Sequence, residues 1–475
     1  MAVVMLLEDR RSQLMLFGVI AMGMFLDGLD GTIVTVALPE IARSFSMSAG
    51  EASWIVTMYF LVMAGLILVF GRISDNGRIR AVIMAGFIGF TLGSFLCGVS
   101  WSYGSLIFFR AVQGLGAAML ASSCLMLAVK FLPPKILAFG MSLSVLGASS
   151  GSALGPVVGG VLTDTLSWHW IFFINVPIGL IGLVLAAKVV PRMDVIQNGR
   201  FDYVGSAILF IAIATGLYSI ESIPSHGFTG LTAVTVSISL VMLVALIIWE
   251  RRVDDPVIRL DMFVRPGLVA VILAFMLMNA CFMGLMYLLP FYFNVELGMN
   301  TFESGIMMLV QAATTLVLCL FMGRATDRMG WRPFVIASCA CIAVSGAVFM
   351  VMEPSMGLFV PFIGLVFMGL VFALGGGSFS ASSLAQVPPA DHGSTSSLMS
   401  FMIYFGAALG TTIYSALFNI GSGAPDTSIE FLPKDLFMDG FVFSMVVTVL
   451  LGILSIALMV WVSRRSDVSV AGATE

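Results

Sequence analysis

Apolar runs of roughly twenty residues, the length at which a helix crosses a bilayer, recur along the chain with short polar or Gly/Pro-bearing turns between them. We count fourteen, with limits near 14–38, 53–71, 81–99, 105–129, 136–163, 171–190, 204–221, 231–249, 267–292, 301–323, 333–352, 357–382, 395–418 and 440–462. Basic residues test the count, because cytoplasmic loops collect Lys and Arg. With both termini in the cytoplasm, 19 of the 22 Lys and Arg fall on that side; Arg43 and Lys434 lie outside and Arg110 within a span. Miscounting by one span would scramble that bias. Acids lean the other way, with Glu40, Glu51, Asp164, Glu221, Glu296 and Asp439 at the outer ends. The pattern predicts an all-α protein of fourteen transmembrane helices.

Composition agrees with the pattern. The chain is 59% hydrophobic and 10% charged, with mean hydropathy +1.07, against about 25% charged in soluble domains. A formal net charge of -4 argues against a nucleic-acid partner, which needs a basic face. The six cysteines all sit in apolar stretches without a CxxC, and are expected to be buried free thiols with no metal site. The opening charges precede an apolar run too long for a signal-peptide core, so that run is kept as the first span. The histidines His169, His226 and His392 are scattered, and no GxxxxGK[ST] phosphate loop occurs. No cofactor and no enzymatic activity are expected.

GRISDNGRIR (Gly71 to Arg80) follows the second span, and GRATDRMGWR (Gly323 to Arg332) follows the tenth. Two copies in equivalent places point to a duplicated bundle. In each, a Gly at a helix end permits close packing, an Asp can cap the next helix, and arginines hold the cytoplasmic surface. Six spans per half would put the second copy after span eight, so two helices are inserted between the halves. The expected division is a six-helix bundle at 1–190, two inserted helices with polar links at 191–261, and a second six-helix bundle at 262–475. The inserted pair is expected to be peripheral to transport, and the 419–439 loop to cover the outer face.

GASSGSALGPVVGG sets Gly147, Gly151, Gly155 and Gly159 four residues apart, a smooth stripe on which another helix packs closely or slides. Pro156 within it permits a bend. Together with Leu29, Asp30, Thr32 and Ala37-Leu38-Pro39, with Gly71, Asp75, Gly77 and Arg78, and with Arg110, Gln113, Gly114 and Gly116, this stripe resembles the motifs of the major facilitator superfamily. Within it the chain is similar to the fourteen-spanner drug/proton antiporters, as is Trp168 to Gly179, with His169 where a basic residue is usual. The loop motif has one residue fewer than usual between Asp75 and Gly77. The resemblance implies two six-helix bundles plus two inserted helices, gating roles for Gly71, Asp75, Gly77, Arg78, Gly323, Asp327, Arg328 and the glycine stripe, and multidrug efflux as the activity.

Asp27 and Asp30 share one face of the first helix, deep in an apolar run. Two carboxylates in a low-dielectric site resist ionising together, so one of them can exchange a proton near neutral pH. Counted at ~1.5 Å per residue, Asp30 lies about 12 Å from the outer end of its span and Arg110 about 8 Å, close enough in level to pair. Asp30 either carries the coupling proton or belongs to a fixed ion pair with Arg110; Asp27 would then be the freer acid. Gln113, Asn279 and Gln311 are buried amides that either tie helices together or line a cavity, and Met283 and Tyr287 lie in the Met/Phe-rich stretch best suited to an adaptable wall. The expectation is a monomer of the plasma membrane that exchanges inward protons for lipophilic, cationic small molecules moving outward. Export of one specific metabolite, coupling to sodium, and a non-transporting sensor on the same bundle remain as alternatives.

Overall fold

The computed structural model describes residues 9–192, 202–253, 256–425 and 427–471. Among these residues there is no strand, only one isolated bridge between Ser48 and Ser428. The helices are α1 (Arg10–Ser44), α2 (Ala49–Ile73), α3 (Ile79–Gly98), α4 (Tyr103–Phe131), α5 (Pro134–Thr165), α6 (Trp170–Val189), α7 (Tyr203–His226) and α8 (Gly230–Glu250). After them come α9 (Pro266–Val295), α10 (Thr301–Met329), α11 (Arg332–Met350), α12 (Phe359–Leu384), α13 (His392–Ser422) and α14 (Lys434–Ala471). Thirteen helical segments are long and apolar enough to cross a membrane, because α2 and α3 run on as one segment, Ala49–Gly98.

Local chemistry sets where these helices begin. Ser48 and Glu51, Ser102 and Ser105, and Asn300 and Glu303 form reciprocal capping boxes at α2, α4 and α10, satisfying backbone N–H groups that have no partner within the helix. The break between α2 and α3 is at Ser74–Arg78, where Gly77 takes φ 92°, and the matching turn after α10 has Gly330 at φ 78°. Both are left-handed positions that favour glycine. The first copy, one residue shorter between its glycines, closes with π-type hydrogen bonds.

Asp75 does not cap α3, as the sequence suggested: no side chain caps that helix. The tight turn leaves Asp75 outside, 3.9 Å from Lys130, whose Nζ donates to the carbonyls of Ser74 and Asp75. Arg78 and Arg328 are exposed, while Gly323 and Asp327 fall outside the residues described at side-chain level.

Packing repeats between the halves. In the first six helices the pairs are α1 with α5, α1 with α6, α2 with α4, α3 with α4 and α3 with α6. The same pairs recur as α9 with α13, α9 with α14, α10 with α12, α11 with α12 and α11 with α14. Hydroxyls mark the equivalence: Ser74 meets Ser123 of α4 at 3.0 Å, and Thr326 meets Ser378 of α12 at 3.3 Å. The halves meet along two seams that the same pseudo-symmetry relates, α2 against α13 and α5 against α10.

The two helices expected to be inserted, α7 and α8, differ from each other. α8 packs on α7 and is otherwise largely exposed, as a lipid-facing helix would be. α7, expected to be peripheral, packs against both α2 and α13 and so lies along a seam between the halves. Cys319 also departs from expectation, being exposed, while the other five cysteines are buried and free.

Candidate functional site

Asp30 is fully buried and its carboxylate is saturated. Arg110 Nη1 donates to Oδ2 at 2.6 Å, and Gln113 Nε2 and Asn175 Nδ2 donate to Oδ1 at 2.7 and 3.1 Å. Arg110 is equally enclosed: Nε donates to the Ile55 carbonyl at 2.9 Å, Nη1 also reaches Gln113 Oε1 at 2.7 Å, and the guanidinium lies 4.3 Å from the centre of the Tyr59 ring. Gln113 continues to Ser94 at 2.8 Å. One network therefore ties α1, α2, α3, α4 and α6 together, and the cost of burying the pair is offset only because nearly every donor and acceptor is matched.

Asp27, one helical turn away, is half-buried and faces the other half. Tyr404 of α13 donates to its Oδ2 at 2.9 Å, and Tyr59 of α2 to Oδ1 at 3.5 Å. No salt bridge to Asp27 occurs among the described residues. The two acids thus occupy different surroundings: one is locked within a bundle, the other touches the junction of the two.

The glycine stripe of α5 carries α1. A Cβ at Gly151 would stand 2.3 Å from the Phe25 carbonyl, and one at Gly155 2.1 Å from Thr32 Oγ1; at Gly147 and Gly159 it would stand 2.7 and 2.8 Å from the Ala21 and Ile33 carbonyls. The other face of the stripe meets α10, where a Cβ on Gly305 would lie 2.3 Å from the Pro156 carbonyl. The helix bearing Asp27 and Asp30 is therefore seated directly on the seam helix α5.

At the end that carries Glu40 the halves are joined. Arg43, paired with Glu40 at 2.6 Å, donates to Asn294 at 3.0 Å; Tyr287 donates to the Ala49 carbonyl at 2.5 Å; Thr57 and Thr411 are 2.7 Å apart. The 419–439 loop adds to this, since Ile429 N–H donates to the Met47 carbonyl at 3.3 Å. At the opposite end a cavity of about 520 Å³ opens between the halves, lined in part by Gly71, Arg72, Asp75, Ser122, Arg259 and Ser397. The segment before α9 crosses beside it, where Arg259 and Arg265 grip Asp391 at 2.8 and 3.0 Å.

The other expected wall residues are all buried, Tyr287 at its contact with Ala49 between the halves. Asn279 donates to its own helix at Phe275, Gln311 to Thr315, and Met283 and Tyr287 are buried.

The sequence profile of the Major Facilitator Superfamily matches residues 20–411. The chain belongs to that superfamily. Among solved structures, the POT family transporter PepTSo superposes with a TM-score of 0.71 at 14% identity, covering 97% of this chain and 99% of that one. A bacterial homolog of the human lysosomal transporter Spinster, solved inward-facing and unoccupied, gives 0.68 at 14% identity, with 96% and 98% covered. These show the fold alone. In sequence, the chain is 27% identical over 415 residues, 87% of each chain, to the "Putative multidrug resistance protein MdtD" of Escherichia coli (strain K12), and equally to that of Escherichia coli O9:H4 (strain HS). This major facilitator protein is thus a multi-pass membrane transporter with homology to a multidrug resistance protein.

Sequence reasoning did not reach Tyr404, Tyr59, Asn175 or Ser94. Asn175 carried a signal, a lone amide in WIFFINVPIG; Tyr404, 377 residues from Asp27, carried none.

Proposed function

We propose that the protein is a proton-coupled antiporter of the plasma membrane that exports lipophilic, cationic compounds by alternating access, acting as a monomer. The observation that carries this is the position of Asp27: a carboxylate at the junction of the halves, held by hydroxyls from both and free of any salt bridge among the described residues. Protonation there changes what the Asp27–Tyr404 contact between the halves is worth, and an ionised Asp27 attracts a cation. Homology to MdtD supports a drug-like cargo.

The reading counts fourteen crossings with both termini cytoplasmic. It takes Ala49–Gly98 as two passes, since 50 residues of continuous helix would reach about 75 Å against a hydrocarbon core of ~30 Å. On that topology the joined Glu40 end faces outward and the 520 Å³ cavity faces the cytoplasm. The test is flux of a panel of cationic and neutral dyes in proteoliposomes under an imposed pH gradient. The reading requires gradient-dependent movement of the cationic dyes that ends when the gradient is collapsed; movement indifferent to pH, or driven only by sodium, refutes it.

A further inference from the structure

The proposed exchange uses Asp27, yet a second carboxyl is buried at the seam between the halves. Glu221 sits on the inserted helix α7, 5% exposed and roughly 8 Å from the helix end. Ser415 of α13 donates to its Oε1 at 3.2 Å. On the α2 side the same oxygen lies 2.5 Å from where a Cβ on Gly50 would stand, so a side chain there would push the carboxyl aside, with Asn419 Nδ2 of α13 3.3 Å from that same point. An inserted helix thus drives an acid into the line along which α2 and α13 close, at the Glu40 end, close to the Thr57–Thr411 contact.

We propose that Glu221 is a second proton-binding site, which must take up a proton for the α2–α13 seam to close at this end. When the seam parts, water reaches the carboxyl and it ionises. Reclosing around an ionised carboxylate would bury a charge among Gly50, Ser415 and Asn419, so the proton is bound first. The titratable groups facing it are Tyr287 of α9 and Tyr103 of α4, with Glu51 following Gly50 on α2 and capping that helix; Tyr218 and His226 share its own helix, the side chain of His226 lying outside the described ones. α8 brings no charged group to this end, its Glu250 lying at the far terminus. This inference rests on the proton-coupled reading and adds a second proton to it, so that export of a singly charged cation would move net charge.

The test is hydrogen–deuterium exchange by mass spectrometry on the full chain in nanodiscs between pH 6 and 9, corrected for intrinsic exchange, in peptides covering 49–60 and 411–422. One proton released per opening makes opening rise about tenfold per pH unit across the titration window. The wild type is expected to give that slope and Glu221→Gln a flat profile, with Asp27→Asn keeping the slope. A wild-type profile without slope, or a Glu221→Gln profile with the wild-type slope, overturns the proposal. If Asp27→Asn alone abolishes the slope, the proposal fails while the Asp27 reading stands; if Glu221→Gln abolishes it and Asp27→Asn still exports on a pH gradient, the reverse holds. Should Glu221→Gln not fold, Ser415→Ala serves: losing a donor to the carboxylate moves the window to higher pH, and an unmoved window overturns the proposal.

Discussion

Replacing Asp30 by Asn removes one charge and almost no volume, so its effect isolates the buried ion pair. The carboxylate accepts from Arg110, Gln113 and Asn175. The amide that replaces it has one oxygen, and its NH₂ must face at least one of those donors. Removing one partner of a buried pair costs about 3–5 kcal/mol, because the other charge stays behind. Arg110 keeps the Ile55 carbonyl, Gln113 Oε1 and the Tyr59 ring, which puts the expected loss near the lower figure, about 3 kcal/mol. Thermal unfolding of purified protein in detergent, followed by intrinsic fluorescence and by the monodisperse fraction on size exclusion, measures it. Asp27→Asn strands no cation and alters one good hydrogen bond, from Tyr404, so it is expected to cost about 1 kcal/mol, well below Asp30→Asn. The double variant Asp30→Asn/Arg110→Gln is expected to recover at least about 1 kcal/mol of the loss, since it removes the stranded charge. Asp30→Asn as stable as Asp27→Asn would refute a structural role for the network.

Gly151→Val places a branched side chain against the Phe25 carbonyl; it should destabilise the protein by about 1–3 kcal/mol and slow transport more than binding, read by melting and by dye flux against dye affinity. Gly330→Ala, at φ 78° with open space around it, should cost about 1–2 kcal/mol by melting from backbone strain alone, with no steric contribution. At Asp391, burial raises the carboxyl's affinity for protons, but Arg265 and Arg259 together more than offset it and hold the group below its ordinary 3.8. A depressed carboxyl stabilises above its unfolded value and loses that contribution as pH falls through the folded value. The grip on the segment before α9 should therefore be complete at neutral pH and released below about pH 4, seen as increased proteolysis of 252–265 that Asp391→Asn shows already at pH 7.

Span length and hydropathy are properties of single helices, and they were legible: each apolar run became a helix, most with bounds within a few residues of the run, while α1 (Arg10–Ser44) and α14 (Lys434–Ala471) extend a turn or more beyond theirs at both ends. The Asp30–Arg110 pair was legible because depth along two spans can be counted from their ends. What a helix face meets across the bundle cannot be counted that way. Tyr404 reads as one more aromatic on a helix rich in them until α13 is placed against α1 and α2. Glu221 reads as an acid at the outer end of a span until α7 is seated between α2 and α13, where Gly50 makes room for it. The inserted pair looks alike in sequence, yet only α7 carries polar side chains into the seam. Asp75 was misjudged because capping was read from spacing, whereas the turn leaves it exposed beside Lys130 with no side chain capping α3.

If protonation of Asp27, not of Asp30, drives export, flux in an Asp27 variant must lose its dependence on the pH gradient. Asp27→Asn and wild-type protein, matched for thermal stability, are reconstituted into proteoliposomes, and flux of a cationic dye is recorded against the size of an imposed pH gradient. Wild-type flux should grow with the gradient while the Asp27→Asn flux stays flat and near the protein-free rate. Gradient-driven flux in Asp27→Asn equal to the wild type would contradict it.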